Sequence, residues 1–552
     1  YGSMTAAAIA TCHILASRLP AAGGQDSLAE KHDAAALQKQ LAAIRQAVKW
    51  LSENYSSETN PGWQWGEGEN WSTYYLYCLA RAADAAGLRT IGDHDWYAEA
   101  AAGILVRQRP DGSWSEQADG GDKETAVPTC FSLLALTAGR KPVLLNTIIL
   151  PGGERSSGET YLDASALAGY VSAAGKPVTW QLVPHDADAS ILAEAPILYI
   201  VRPAAGRLPA KMAEPLRQFV RNGGTVLVRA DGSDQAARQC TDDFLAIFPD
   251  YHAGRLDDKH AVFIARHKLS SSALPAITGI GDYCRTRIFI VDQSFSPLWR
   301  TGTGSEKSHR ALQFFANLVR YGTDGRQLKG KLASRLPQAP PGKPIRWLQV
   351  ARVAHNGDWN TNPLAMNRLS DVLCGAVSVG VKEAPAAPLA DKVDQHLPLL
   401  WLTGTLRANL TPDQREKLKQ YLSGGGMLFI DPAVGDAEFF EAAKELLADM
   451  FGPESLKALP EDHQIVTGKF AGGMGSDIRR VSYTSAVAEK QPGLQKPLLY
   501  GVELDGRLAV VLSRYGVTCP LEGGATYGMA GLETDDARRL AANVVLYAAT
   551  RK

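Results

Sequence analysis

The strongest constraint on the fold is a segment that the chain contains twice. Residues 195–228, "APILYIVRPAAGRLPAKMAEPLRQFVRNGGTVLV", return at 397–430 as "LPLLWLTGTLRANLTPDQREKLKQYLSGGGMLFI". Pro196 matches Pro398, Phe219 matches Tyr421 and Gly223 matches Gly425, each pair 202 positions apart. Further on, "LDDKHAVF" matches "LPEDHQIV", with His260 and His463 offset by 203. Both copies close on an apolar helix-like run, "ALQFFANLVRYGT" and "ARRLAANVVLYAAT". A constant offset through several elements makes each copy the same folding unit. Within the first copy, β-rich runs ("TIIL", "VTWQLV", "PILYIV", "TVLVRA") alternate with amphipathic helix, as in "PAKMAEPLRQFVRNGG" with its glycine stop. That alternation specifies a layered α/β sheet. The expectation is two tandem α/β domains, residues 141–333 and 345–552, with the Pro-rich "RLPQAPPGKP" in a linker spanning 334–344.

Residues 1–140 carry a helical period instead. Leu37, Leu41, Ile44, Val48 and Leu51 fall on one helix face. Trp71, Tyr75, Cys78, Leu79 and Ala82 repeat the pattern. So do Tyr97, Ala101, Ile104 and Leu105, and then Ala126, Cys130, Leu133 and Leu134. Loops rich in Gly, Trp and acids separate them: "NPGWQWGEGEN", "GDHDW" and "RPDGSW". Helix pairs joined in this way predict an all-α, α/α toroid-like unit, in which each pair needs a neighbour to bury its apolar face.

At 552 residues the chain exceeds a single core, and its length predicts about three or four domains. Its formal charge of zero offers no attraction to nucleic acid or to an anionic membrane, and no apolar run is long enough to span a bilayer. The seven cysteines show no CxxC pairing, and their apolar surroundings predict buried free thiols. The start, "YGSMTAAAIATCHILASRL", lacks an initiator Met and any signal-peptide pattern. The expectation is a native chain that extends upstream, where a signal would direct it to the periplasm or cell envelope.

Motifs in the helical part and in the C-terminal part together resemble a family of bacterial proteins known from planctomycetes and related groups. Its members join a prenyltransferase- and squalene-cyclase-like helical region to a C-terminal domain of unknown function (DUF4159-like). The helical part is similar in "YGSMTAA", "DHDWY" and "QRPDGSW". The C-terminal part is similar in "HNGDWNTNP", "LLWLTGT", "LSGGGMLFIDP", "RLAVVLSRYGVTCPLEG" and "NVVLYA". The resemblance implies a toroidal helical repeat followed by flavodoxin-like domains of class I glutamine-amidotransferase-like layout. It brings no activity with it.

The chemistry such frameworks perform requires residues that this chain lacks or has altered. A squalene-type cyclase needs clustered aspartates as a strong general acid, and the nearest stretch, "GDHDWY", puts Trp96 where a further acid belongs. One reading is a residual acid site, Asp93 and Asp95, in an aromatic cavity of Trp63, Trp65, Trp71, Tyr74 and Trp96. The other is that Asp93 or Asp95 caps the helix starting near Trp96. In "QRPDGSW", Pro-Asp-Gly is a turn signal, and Gln108 and Trp114 are expected to tie helices together. A prenyltransferase zinc site would need Asp, Cys and His, but Cys12, His13 and His94 have no supporting spacing. No metal or cofactor is expected.

Amidotransfer needs a cysteine on a strand-to-helix elbow with a histidine base. The corresponding turns read "VLVRADGSD" and "LFIDPAVGD", with no Cys or Ser directly after either strand, and Cys240 and Cys374 fall within helices. His260 and His463 are expected to fix loops. A candidate ligand crevice remains at the C-terminal end of the strand "IRWLQVAR": His355, Asp358, Trp359 and Asn360, with Thr403, Gly404 and Asp431 ending neighbouring strands. There Asp358 and Asn360 could hold a sugar or peptide group against Trp359, or else bond loop backbone while Trp359 seals the sheet. In the first copy "LPGGERSSGETY" takes this place and could form an anion-binding loop. The leading reading is a non-catalytic binding or scaffold protein whose partner is an unknown protein or small molecule. The alternative is an enzyme: a hydrolase using Asp358 and Asp431, or a terpenoid- or lipid-modifying protein using the helical cavity.

Overall fold

The computed structural model describes residues 1–18, 27–62, 71–116, 125–152, 157–204, 206–282, 284–302, 304–333, 342–389 and 393–550. The first sheet comprises β1 (Val143–Ile149), β2 (Thr179–Leu182), β3 (Ile197–Arg202), β4 (Thr225–Ala230), β5 (His252–Arg255), β6 (Ile277–Gly281) and β7 (Thr286–Asp292). The second comprises β8 (Arg346–Val353), β9 (Val379–Ala387), β10 (Leu399–Gly404), β11 (Met427–Pro432), β12 (Leu456–Ala458), β13 (Leu499–Leu504) and β14 (Arg507–Ser513). Their orders are β2-β1-β3-β4-β7-β6-β5 and β9-β8-β10-β11-β14-β13-β12. Strand for strand these are one topology, so the repeat read in the sequence is a repeat of fold. The first five positions of each sheet are parallel and follow the flavodoxin-type order; β6 and β13 run antiparallel to both their neighbours, so the outermost β5 and β12 run with the parallel set again.

Central parallel strands are covered on both faces, which requires continuous apolar runs. β3, β4, β10 and β11 are buried at every residue. The registers repeat too, with Ile197 opposite Thr225 and Leu399 opposite Met427. Before β4 and β11 the chain turns through Gly223 and Gly425, both at positive φ. The next glycine in each copy lets an aromatic ring close over the backbone. A Cβ at Gly224 would lie 2.4 Å from Phe219, and one at Gly426 would lie 2.2 Å from Tyr421.

His260 and His463 each cap a short turn, accepting from Val262 N and Ile465 N at 3.1 Å. A second repeated device is a buried asparagine on the closing helix of each copy, Glu306–Thr323 and Thr534–Ala549. Asn317 accepts from Arg266 N and His267 N and donates to His267 O. Asn543 accepts from Ser476 N and donates to Ile465 O and Ser476 O. Asn317→Ala and Asn543→Ala should each lower stability by about 2 kcal/mol, because buried backbone groups lose their partners. Urea unfolding checks this, and a loss in only one variant would show that the two side chains are not equivalent.

The N-terminal part supplies helices Gly2–Arg18, Ser27–Glu53, Ser72–Ala86, Trp96–Val106 and Ala126–Ala138. Tyr75, Cys78, Leu79, Ala82, Ile44 and Leu51 are buried as their spacing predicts, while the side chains of Leu37 and Leu41 lie outside the described residues. Three expectations are corrected. Trp71 precedes its helix in a left-handed conformation and is exposed. The Glu116 carboxylate takes over the helix start, accepting from Ser72 N and Thr73 N. Helix Trp96–Val106 buries Trp96, Ala100 and Ile104, leaving Leu105 exposed. Helix Ala126–Ala138 buries Pro128, Ser132 and Ala135, so Cys130, Leu133 and Leu134 face outward. This helix is apolar all round, and periodicity alone could not select its buried side.

The helical part is joined to the edge of the first sheet. Leu182 N donates to Gly87 O at 2.6 Å, and Leu88 forms a parallel bridge with Leu182. Arg89 pairs with Glu194 at 2.9 Å. No helix among the described residues is long and apolar enough to cross a membrane.

Candidate functional site

The candidate residues at the carboxyl end of the second sheet gather around the tip of β10. His355 follows β8 and is buried there. Its Nδ1 accepts from Gly357 N at 3.0 Å, so Nε2 carries the proton and donates to Thr403 O at 2.9 Å. Burial lowers its pKa, against the opposing effects of the Thr403 carbonyl and Asp358, and the ring is neutral. Asp358 accepts from Thr405 N at 2.9 Å and Leu406 N at 2.8 Å, and from the Thr405 hydroxyl. Gly404 permits this approach, since a Cβ there would lie 3.1 Å from Asp358 Oδ1 and 3.3 Å from the His355 ring. The structure therefore brings His355, Asp358, Thr403 and Gly404 together. Asn360 instead accepts from the buried Arg352 at 3.0 Å, and Trp359 is half-buried.

Asp431 is held apart from that group. Fully buried, it accepts from Val517 N, Thr518 N and Trp401 Nε1, each at 2.9 Å, and from Thr518 Oγ1 at 2.6 Å. Burial pushes its carboxyl above the usual range while these donors pull it down. No hydrogen bond joins Asp431 to His355 or Asp358 among the described residues.

The residue at the Asp431 position of the first copy is Arg229, again 202 positions earlier. Arg229 pairs with Asp163 and, at 2.8 Å, with Asp231. Asp163 also accepts from Tyr199 at 2.9 Å and Ser296 at 2.7 Å. Burial raises the Asp163 carboxyl, against the pull of Arg229. Sequence reasoning missed this buried network. The only signal was an arginine in an otherwise apolar strand, "TVLVRA". Of the proposed anion loop "LPGGERSSGETY", residues 153–156 lie outside the described residues.

Of the proposed aromatic cavity, Trp96 lies in the helical core cluster and Tyr74 packs against that cluster. Trp63 and Trp65 lie outside the described residues. Trp71 sits edge-on to Tyr74, which packs on Phe131. Trp96 is buried, donating to Leu88 O at 2.7 Å beneath the Lys331 ammonium. Asp95 caps its helix by accepting from Ala98 N at 3.1 Å, and Asp93 is exposed. In "QRPDGSW", Trp114 is buried, donates through its indole to Ile104 O at 2.7 Å, and takes its own amide to Thr129 Oγ1. It thus ties helix Trp96–Val106 to helix Ala126–Ala138, and Gln108 closes the turn on Gly112 O.

A further polar region lies between the two α/β domains. The segment after Thr518 reaches onto the first sheet, where Arg285 donates to Gly523 O and Gly524 O at 2.6 and 2.9 Å. Arg287 donates to Gly524 O, Arg326 to Ala525 O, and Tyr527 N to Tyr321 O. Asp282 and Glu522 flank Arg285 at 3.4 and 3.6 Å, beside a cavity of about 30 Å³.

Fold and strand-end geometry together define a class: tandem, mixed α/β domains whose strand ends carry buried, hydrogen-bonded polar groups. A family model described as "Domain of unknown function (DUF4159)" matches residues 166–323 and 349–549, and the chain belongs to that family. The matched segments leave the N-terminal helices outside. Among solved structures, the chain is similar to the C-terminal domain of glucosamine-fructose-6-phosphate aminotransferase from Francisella tularensis. That likeness has 10% identity, covers 83% of this chain and 94% of that one, and has a TM-score of 0.16, too low to indicate a shared fold. No curated protein matches the chain.

Proposed function

We propose that this chain is a non-catalytic binding or scaffold protein built on degenerate enzyme-like folds. The observation that carries this reading is the commitment of Asp431: four protein donors occupy the one fully buried acid among the candidate residues. A general base needs a free lone pair within reach of substrate, and Asp431 has none to spare. His355 is similarly engaged at both ring nitrogens. A polar ligand such as a sugar or peptide group would meet the Asp358–Asn360 loop and Trp359. The helical part is read as a piece of an α/α toroid, supported by the way Trp114 stitches successive helices.

The test is an assay of the whole chain for glutaminase and for p-nitrophenyl ester hydrolysis. The expected rate equals that of buffer. Turnover that disappears in His355→Ala or Asp358→Asn would overturn the reading.

A further inference from the structure

The first sheet ends in an open edge. β5 is its outermost strand, pairs with β6 and is exposed at every residue. Leu256 N donates to Ile277 O at 3.0 Å, so those two residues form a hydrogen-bonded pair. In an antiparallel ladder such pairs alternate along the strand. Gly254 and His252 therefore also bond inward, while Ala253 and Arg255 turn their N–H and C=O groups outward. Among the described residues nothing takes up those outward groups. A groove of about 420 Å³ runs beside the strand. Its floor is glycine: Gly254 lies opposite Gly279, and His252 opposite Gly281, all on one face of the sheet. A Cβ at Gly254 would meet nothing within 4 Å. The second domain differs at the same place. Leu459, 203 positions after Leu256, donates its N–H to Leu499 O in the same way, so Gly254 corresponds to the exposed Lys457. A lysine on an edge strand discourages further pairing.

We propose that β5 is a docking edge for an extended peptide of another protein, which adds to the sheet as an antiparallel strand and carries an acidic residue followed by an aromatic one. The acid lies opposite Arg255, which is exposed and has no ion pair among the described residues. The aromatic ring lies opposite Gly254 and covers the glycine floor, as aromatic side chains do beside glycines at sheet edges. Main-chain bonds to Ala253 and Arg255 supply affinity, and the groove selects the side chain. The occupant is a peptide rather than a second copy, because an edge of four residues is only about 13 Å long. Two such edges bury well under the roughly 1,000 Å² that a stable pair of folded chains needs. This edge belongs to the first α/β domain and the Asp358 loop to the second, so the inference stands apart from any ligand bound there.

The probe is a fluorescein-labelled peptide, Thr-Val-Glu-Phe-Val-Thr, titrated with the whole chain and followed by fluorescence anisotropy. Saturable binding is expected, weakened about tenfold or more by Gly254→Lys. Arg255→Glu should weaken it about threefold, with recovery when the peptide's Glu is replaced by Lys. N-methylation of the peptide's Glu, whose amide faces Arg255, should abolish binding. N-methylation of its Phe, whose amide points away from β5, should spare it. Absence of saturable binding, equal affinity for the Gly254→Lys variant, or equal binding by the two methylated peptides would overturn the proposal. So would a concentration-dependent dimer in sedimentation that Gly254→Lys abolishes, since the edge would then belong to a second copy. The methylated peptides are read on the unsubstituted chain, so a folding defect in a variant cannot obscure the result.

Discussion

Asp431→Ala is expected to lower the stability of the chain by roughly 4 kcal/mol, read as a shift of the urea unfolding curve. Two buried amides, Val517 N and Thr518 N, lose their acceptor, and each unsatisfied group costs about 1–3 kcal/mol. The Trp401 indole keeps Thr518 Oγ1 as a second partner at 2.9 Å, so its loss is partial. Asp431→Asn retains one oxygen but turns an amino group toward the same donors, and should fall between the two. The damage should also spread. Val517 and Thr518 root the segment whose Gly523, Gly524 and Ala525 carbonyls receive Arg285, Arg287 and Arg326 from the other domain. Hydrogen exchange in residues 517–529 should therefore accelerate more than in β10 or β11. An alanine variant within 1 kcal/mol of the parent would show that these bonds contribute little.

The second large effect is acid lability centred on His260. Its Nδ1 accepts from Val262 N, Nε2 meets Thr286 Oγ1 at 2.9 Å, and the ring packs on Tyr321. Burial lowers its pKa from 6.5 to about 4, with Asp257 opposing the shift. The unfolded chain therefore binds a proton near pH 6.5 that the folded chain refuses until about pH 4. Stability is fully present above the unfolded value and declines as pH falls through this window, by about 1.4 kcal/mol per unit and about 3 kcal/mol in all. His13, buried against Tyr161, has the same lowered value of about 4 from burial and adds to the trend. His260→Asn keeps a side-chain acceptor for Val262 N without the titration. The drop in unfolding free energy between pH 7 and pH 4 should be about 3 kcal/mol smaller in this variant. Equal drops would show that the imidazole is accessible to protons in the folded chain.

Topology was legible because a duplicated sequence repeats every local decision at a fixed offset. Pro196 and Pro398 each precede a buried strand, and Gly224 and Gly426 each admit an aromatic ring. The meeting of His355, Asp358, Thr403 and Gly404 at one sheet end was legible, since the strand ends in "ARVAHNGDW" and "LWLTG" lie side by side there. Its chemistry was not: whether Asp431 faces ligand or backbone depends on residues 517 and 518, far along the chain. The domain contact left almost no trace either. Arg285 and Arg287 recognise glycine carbonyls, which have no side-chain signature. Helix Ala126–Ala138 misled for the opposite reason, offering apolar residues on every side.

The helical part does more than sit beside the first sheet. Strand β2 is the outermost strand there, and Leu88 lies along its otherwise open rim. A fragment trimmed to begin near Pro142 would uncover that rim and give other chains a template for strand addition. The matching outer strand of the second sheet, β9, contains Pro385, which has no amide hydrogen to offer. Dissection of this protein into parts is therefore asymmetric: the second α/β unit carries its own guard against self-association, whereas the first borrows one from its neighbour.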